Sequence, residues 1–162
     1  MKYYLVAGER SGDLHGGNLI REIHRKDPEA EVRCWGGDAM EVAGAELVTH
    51  YREMAFMGFL EVVKNLKTIR NFLQTCKQDL LDFQPDAVIL IDYPGFNLRI
   101  AKFAKKQDWS VYYYIAPKTW AWNAGRTHKL RKYVDQVFSI LPFEESFFRK
   151  YDVNVTYVGN PL

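Results

Sequence analysis

Residues 85–97 read PDAVILIDYPGFN. Ala87 to Ile91 is an unbroken apolar run between Pro85-Asp86 and Tyr93-Pro94-Gly95. A run this short, rich in β-branched residues and flanked by chain breakers, predicts a strand buried on both faces. Such strands belong to parallel sheets covered by helices on either side. Asp92 follows at once, and open α/β sheets bind ligands just beyond the carboxyl ends of their strands. Asp92 therefore has two readings: a catalytic group at the sheet rim, or an acid that ties down the following turn.

Upstream of this strand the chain alternates between strand and helix patterns. Tyr3 to Ala7 predicts a first strand, followed by the loop Gly8-Glu9-Arg10-Ser11-Gly12-Asp13 and a helix to about Lys26. Ser11 or Asp13 suits the cap of that helix, where a side-chain oxygen accepts from free N–H groups. A glycine loop at a helix start also resembles a phosphate cradle. Its spacing matches neither common phosphate motif, however, and Glu9 disfavours an anion. Glycines for a tight turn explain the loop equally well, and Glu9 and Asp13 are able to bond the hydroxyls of a sugar-like ligand. Val32 to Trp35 predicts the second strand, Asp38 to Ala43 a short helix, and the region near Leu47 a third strand. Phe59, Val62, Leu66, Ile69, Leu73, Cys76 and Leu80 recur three and four apart and predict a long core-facing helix that Pro85 stops.

Downstream, Asn97 reads as the cap of a helix through Lys106, with substrate contact as the alternative. Val111 to Ile115 predicts the next strand. It leads into Ala116-Pro117-Lys118-Thr119-Trp120-Ala121-Trp122, where Trp120 and Trp122 either stack on a ligand or plug the sheet rim. A basic helix from about Gly125 to Tyr133 carries Arg126, Lys129, Arg131 and Lys132, a solvated face or a surface for phosphate and anionic lipid. Val134 to Ile140, a helix from Leu141 to Lys150, and Val155 to Val158 complete the alternation. The pattern predicts an α/β fold, a doubly wound parallel sheet of about six or seven strands. The stop after Gly159-Asn160-Pro161-Leu162 reads as a cut at an interdomain linker.

The totals narrow the classes. With 162 residues, 48% of them apolar, the chain can build a core. A net charge of +2 gives no general polyanion signal, and no nucleic-acid module is recognisable. Cys34 and Cys76 show no metal spacing, and free thiols in a reducing cytosol are the default. His15, His24, His50 and His128 are scattered without an i,i+4 pair, so no metal site is expected. Ser11 lacks a nucleophile elbow. There is no signal peptide pattern and no membrane-spanning run. Beside the core stripe, Phe56, Leu60 and Val63 continue as Lys67 and Arg70 on a neighbouring helical face. That apolar-to-basic face predicts contact with acyl chains and anionic headgroups, the alternative being that another helix covers its apolar part.

Seven motifs in order carry a family resemblance: AGERSGDLHG, GGDAM, MAFMGFLEVV, PDAVILIDYPGFN, WAW, LPFE and VGNPL. Together they resemble the N-terminal half of the lipid-A-disaccharide synthase family, end to end. The resemblance implies the acceptor-side, Rossmann-like N-terminal domain of a glycosyltransferase B fold, with the donor-binding domain outside this chain. It implies an inverting enzyme of lipid A biosynthesis that uses no cofactor. Its substrates would be UDP-2,3-diacylglucosamine and 2,3-diacylglucosamine 1-phosphate (lipid X), and its products the β-1,6 disaccharide and UDP. It places the catalytic base on Asp92 and matches Glu9, Ser11, Gly12 and Asp13 to the family's first glycine loop. Asn97, Trp120 and Arg126 join them as candidate substrate contacts. Phe56, Met57, Leu60 and Val63 are the candidate lipid contacts. It also implies a peripheral place on the inner face of the inner membrane, with homo-oligomerisation left open. Three departures stand out. The usual D-x-P-D-F-N has Gly95 at its second acid, the serines of SPSVWAW are Ala116 and Lys118, and GHP reads Gly159-Asn160-Pro161. A non-catalytic lipid- or sugar-binding module of the same fold is the rival reading. A dinucleotide-binding domain is disfavoured by the missing fingerprint.

Overall fold

A computed structural model of the chain describes residues 1–55, 66–118 and 124–161. Strands β1 (Lys2–Ala7), β2 (Glu31–Gly36), β3 (Glu46–His50), β4 (Ala87–Ile91), β5 (Ser110–Tyr114), β6 (Gln136–Ser139) and β7 (Val155–Tyr157) form a seven-stranded sheet. Its order is β3-β2-β1-β4-β5-β6-β7. The β1–β2, β2–β3, β4–β5, β5–β6 and β6–β7 pairings are all parallel. This is the Rossmann-like α/β architecture that the alternation predicts. The chain divides into two compact units, Met1–Asp86 and Ala87–Leu162.

In the first unit, β1 joins α1 (Arg10–Lys26), β2 joins α2 (Asp38–Val42), and β3 leads to a helical turn, α3, at 51–55. Helix α4 (Leu66–Phe83) closes the unit. Leu73, Cys76, Leu80 and Phe83 are buried at spacings of three and four, the core stripe expected of this helix. Ile69 departs from it, being 45% exposed. Phe59 and Val62 lie outside the described residues. A polar network pins α4 to the sheet. Tyr4 donates its hydroxyl to Asp79, Arg33 Nη1 reaches the same carboxylate at 2.9 Å, and Arg33 also grips Glu46 with two nitrogens. The guanidinium lies over the Phe83 ring, 4.9 Å from its centroid.

In the second unit, α5 (Pro94–Lys106) follows β4, α6 (Ala124–Tyr133) follows β5, and α7 (Pro142–Arg149) lies between β6 and β7. All five residues of β4 are buried, as a strand covered on both faces requires. Each large aliphatic side chain so buried stabilises the fold by about 1.5–3 kcal/mol relative to exposure. Helix α5 starts four residues earlier than expected, at Pro94, with Tyr93 as its cap. Proline suits a first helical position because its missing N–H would have no partner there. Asn97 is consequently inside the helix and fully buried, and it is not a cap. In α6, Lys129, Arg131 and Lys132 are exposed, which is the solvated face, while Arg126 is half-buried.

Candidate functional site

The carboxyl ends of the strands carry two clusters, one in each unit. In the first unit, the loop after β1 is only Gly8-Glu9, because α1 already begins at Arg10. Gly12 and Asp13 are therefore part of the helix and not of the loop before it. Glu9 and Ser11 are exposed at the first turn, where Ser11 Oγ donates to Glu9 Oε1 at 2.8 Å. Asp13 is buried and does not cap its own helix. Its Oδ1 accepts from the N–H groups of Gly37 and Met40 at 2.8 and 3.0 Å, and its Oδ2 from Ala39 at 3.1 Å. The first N–H groups of α2 have no partner within that helix. Its own cap residue, Gly37, offers no side chain, so Asp13 fills the position from another helix. Both oxygens accept backbone N–H groups, so Asp13 shapes the strand ends.

The same rim holds a histidine that no motif or spacing singles out. His50 Nδ1 accepts from the Arg52 N–H at 3.1 Å, so the proton of a neutral ring sits on Nε2, which donates to Asp38 at 3.1 Å. Tyr51 packs on His50, with ring centroids 4.7 Å apart.

The second cluster is built around Asp92. Asp92 and Tyr93 both have left-handed backbones, at φ of 46° and 47°. Ile115, at the end of the adjacent strand, has φ of 61°. Among the described residues, the other non-glycine positions with positive φ, Gln84, Asp108 and Asp152, follow helix ends, where such a conformation is routine. At strand ends it is not, and for a β-branched residue it is a true outlier. Strain of this kind gathers at functional sites and runs to roughly 1–3 kcal/mol per residue.

The surroundings hold the turn in place. The Asp92 N–H donates to the Tyr114 carbonyl at 3.2 Å. The Asp92 carbonyl accepts from the Tyr113 hydroxyl and, at 2.9 Å, from Asn97 Nδ2, which also donates to the Ile91 carbonyl at 3.2 Å. Asp92 itself is half-buried. Tyr113 is fully buried, and its phenol is pushed well above its usual value by burial first and then by the Asp92 charge. The Arg126 charge and a hydrogen bond with Asn97 oppose that shift. Asp92, Asn97 and Arg126 are thus brought together around Tyr113, which the sequence reading passed over. Its signal was present: a tyrosine on the buried face of a strand must lodge its hydroxyl on a partner.

Trp120 and the candidate lipid contacts Phe56, Met57, Leu60 and Val63 lie outside the described residues. Among the described residues, no group of three or more His, Cys, Asp or Glu is arranged to hold a metal ion, and no helix is long and apolar enough to cross a membrane.

Known proteins share both the fold and the sequence pattern. UDP-GlcNAc 2-epimerase from Neisseria meningitidis, solved bound to UDP-GlcNAc, superposes with a TM-score of 0.71 at 15% identity, covering 99% of this chain and 46% of that one. Acinetobacter baumannii MurG gives 0.63 at 12% identity, covering 100% and 46%. At such identities the likeness is one of fold. Among curated proteins, the lipid-A-disaccharide synthase of Coxiella burnetii is 42% identical over 158 residues, 98% of this chain and 42% of the relative. That of Trichlorobacter lovleyi is 44% identical over 158 residues, 98% and 41%. The chain thus spans about two fifths of the length of these relatives. The model of the lipid-A-disaccharide synthetase family (LpxB) matches residues 3–162, and on that match the chain belongs to this family.

Proposed function

We propose that this chain is the acceptor-side half of an inverting glycosyltransferase of lipid A assembly, with the donor-binding half outside it. The acceptor is 2,3-diacylglucosamine 1-phosphate and the donor UDP-2,3-diacylglucosamine. The observation that carries the reading is the placement of Asp92. It stands at the carboxyl end of a strand buried on both faces, in a strained turn whose carbonyl is held by two side chains. A carboxylate held there suits a general base. As the acceptor 6-oxygen attacks the anomeric carbon, its proton passes to Asp92. The new carbon–oxygen bond forms on one face while the bond to UDP breaks on the other, and UDP leaves with the electron pair.

Glu9 and Ser11, exposed at the first turn of α1, are proposed as hydroxyl ligands for the sugar. Arg126 supplies a half-buried positive charge for the acceptor phosphate. Phe56, Met57, Leu60 and Val63 are proposed to meet the acyl chains at the membrane surface. Lys67 and Arg70, exposed at the start of α4, lie in register for anionic headgroups.

The test is a chimera in which this chain replaces the matching stretch of the Coxiella burnetii relative, with UDP release as the readout. The 162 residues alone are expected to release none. Asp92→Asn in the chimera is expected to lower turnover roughly 100- to 10,000-fold without lowering the melting temperature. Turnover within a few-fold of the parent removes Asp92 as the base. A lone chain that binds diacylated sugar, together with a folded but inactive chimera, favours the binding-module reading instead.

A further inference from the structure

We propose that Tyr113 is a positioning residue that holds Asp92 in its left-handed turn, an inference that rests on the assignment of Asp92 as base. The backbone around Asp92 and Tyr93 is strained, at φ of 46° and 47°, and without restraint would relax toward extended or right-handed values. Relaxation rotates the Cα–Cβ bond and carries the carboxylate away from its place. Two elements meet on one atom to prevent this. From β5, the Tyr113 hydroxyl donates to the Asp92 carbonyl oxygen. From α5, Asn97 Nδ2 donates to the same oxygen at 2.9 Å. A third restraint fixes the other side of the residue, since the Asp92 N–H is held by the Tyr114 carbonyl at 3.2 Å.

Tyr113 is suited to the task in two ways. Its ring is fully buried, and strand register pairs it with Leu90, two residues before Asp92, so packing fixes where its hydroxyl points. Burial, and then the Asp92 charge, keep the phenol protonated throughout the neutral range, so the donor is always present. The hydroxyl touches the backbone of the base and acts on the reaction only through it. A misplacement on the order of 1 Å in a reacting group can lower turnover about 100-fold.

Tyr113→Phe removes the hydroxyl and keeps the ring. In the chimera it is expected to lower kcat roughly 10- to 100-fold and to leave KM for both substrates within about twofold. A merely structural tyrosine would have the same effect in any background, so the decisive comparison is a double-mutant cycle. Introduced into Asp92→Asn, Tyr113→Phe is expected to change turnover less than about twofold, because no base remains to be positioned. An equal loss in both backgrounds overturns the proposal. If Asp92→Asn is itself nearly fully active, the assignment of the base has failed, which is a separate outcome. Asn97→Leu, which withdraws the other donor to the same carbonyl, provides a second arm if Tyr113→Phe does not fold, and the same cycle is expected. The 162-residue chain gives a readout that needs no turnover. Scalar couplings that report φ at Asp92 are expected to hold left-handed values in wild type and to average away from them in Tyr113→Phe. Unchanged couplings overturn the proposal.

Discussion

Asp13 serves residues 24 to 27 positions further along the chain. A buried carboxylate that accepts three backbone N–H bonds replaces a cap the local sequence cannot provide, because Gly37 has no side chain to offer. Asp13→Asn keeps the shape but leaves one acceptor oxygen and sets an NH2 against a backbone donor. Bonds to charged groups contribute about 1.5–3 kcal/mol each, so a loss of roughly 2–4 kcal/mol of stability is expected. A urea melt checks this, and an unchanged midpoint would show that α2 finds another cap. From sequence, Asp13 reads as a cap of α1 or a sugar ligand because local rules see only its neighbours. Asn97 went astray for a related reason. Asn is a preferred cap, but Pro94 at the first helical position and the left-handed Tyr93 before it started the helix earlier and drew Asn97 into the interior. The place of Asp92 was legible because it follows from the strand, whereas for Tyr113 the sequence signals only a need for some partner, because the partner it finds lies across strands.

Among the elements, α1 and α2 approach so closely that two consecutive glycines separate them. A Cβ at Gly16 would lie 2.7 Å from the Met40 sulfur, and one at Gly17 would lie 2.7 Å from the Ala39 carbonyl oxygen. Helix propensity alone favours alanine over glycine by about 1 kcal/mol. At Gly16 the obstacle is a flexible side chain, though a fully buried one, and at Gly17 it is backbone, which cannot step aside. Gly17→Ala is therefore expected to destabilise by about 1–3 kcal/mol, the usual range for overpacking. Gly16→Ala should have a clearly smaller effect, with thermal melts of the two variants as the check. Equal melting points would mean the helices part without resistance. The elements themselves were readable wherever composition and period agreed: β4 runs from Ala87 to Ile91 as its apolar run does. Ile69 shows the limit of periodicity, which marks a face without saying which of its residues are covered.

For the molecule as a whole, alkaline pH is a weakness written into the core. Cys34 is pushed up to about 12, by burial first and then by the charges of Asp13, Glu41 and Glu46. Burial likewise raises Cys76, Tyr4 and Tyr113. A group raised in the folded state contributes stability that is whole below its unfolded value, here about 8.5 for cysteine and 10 for tyrosine. That stability is lost as pH climbs toward the folded value, because the unfolded chain sheds the proton first. Each such group steepens the decline by up to about 1.4 kcal/mol per pH unit. Under reducing conditions, stability from urea melts is expected to hold near neutrality and fall progressively above about pH 9. The curve of Cys34→Ala should fall less steeply between pH 9 and 11 than the wild-type curve. Parallel curves would remove Cys34 from the account. The parallel Rossmann-like sheet was legible at this scale because buried strands and amphipathic helices alternate in sequence. What no local pattern could supply was the set of long-range partners at the strand ends.

The left-handed residues at Asp92, Tyr93 and Ile115 also bear on how the sequence can drift. Glycine adopts such backbones at no steric cost, so variation filtered only by cellular abundance would favour it at all three positions. Under the proposed role of Asp92 as base, a filter for activity would refuse it there, where glycine carries no carboxylate. The yield of folded protein and the fitness of its host therefore part company at this corner of the sheet.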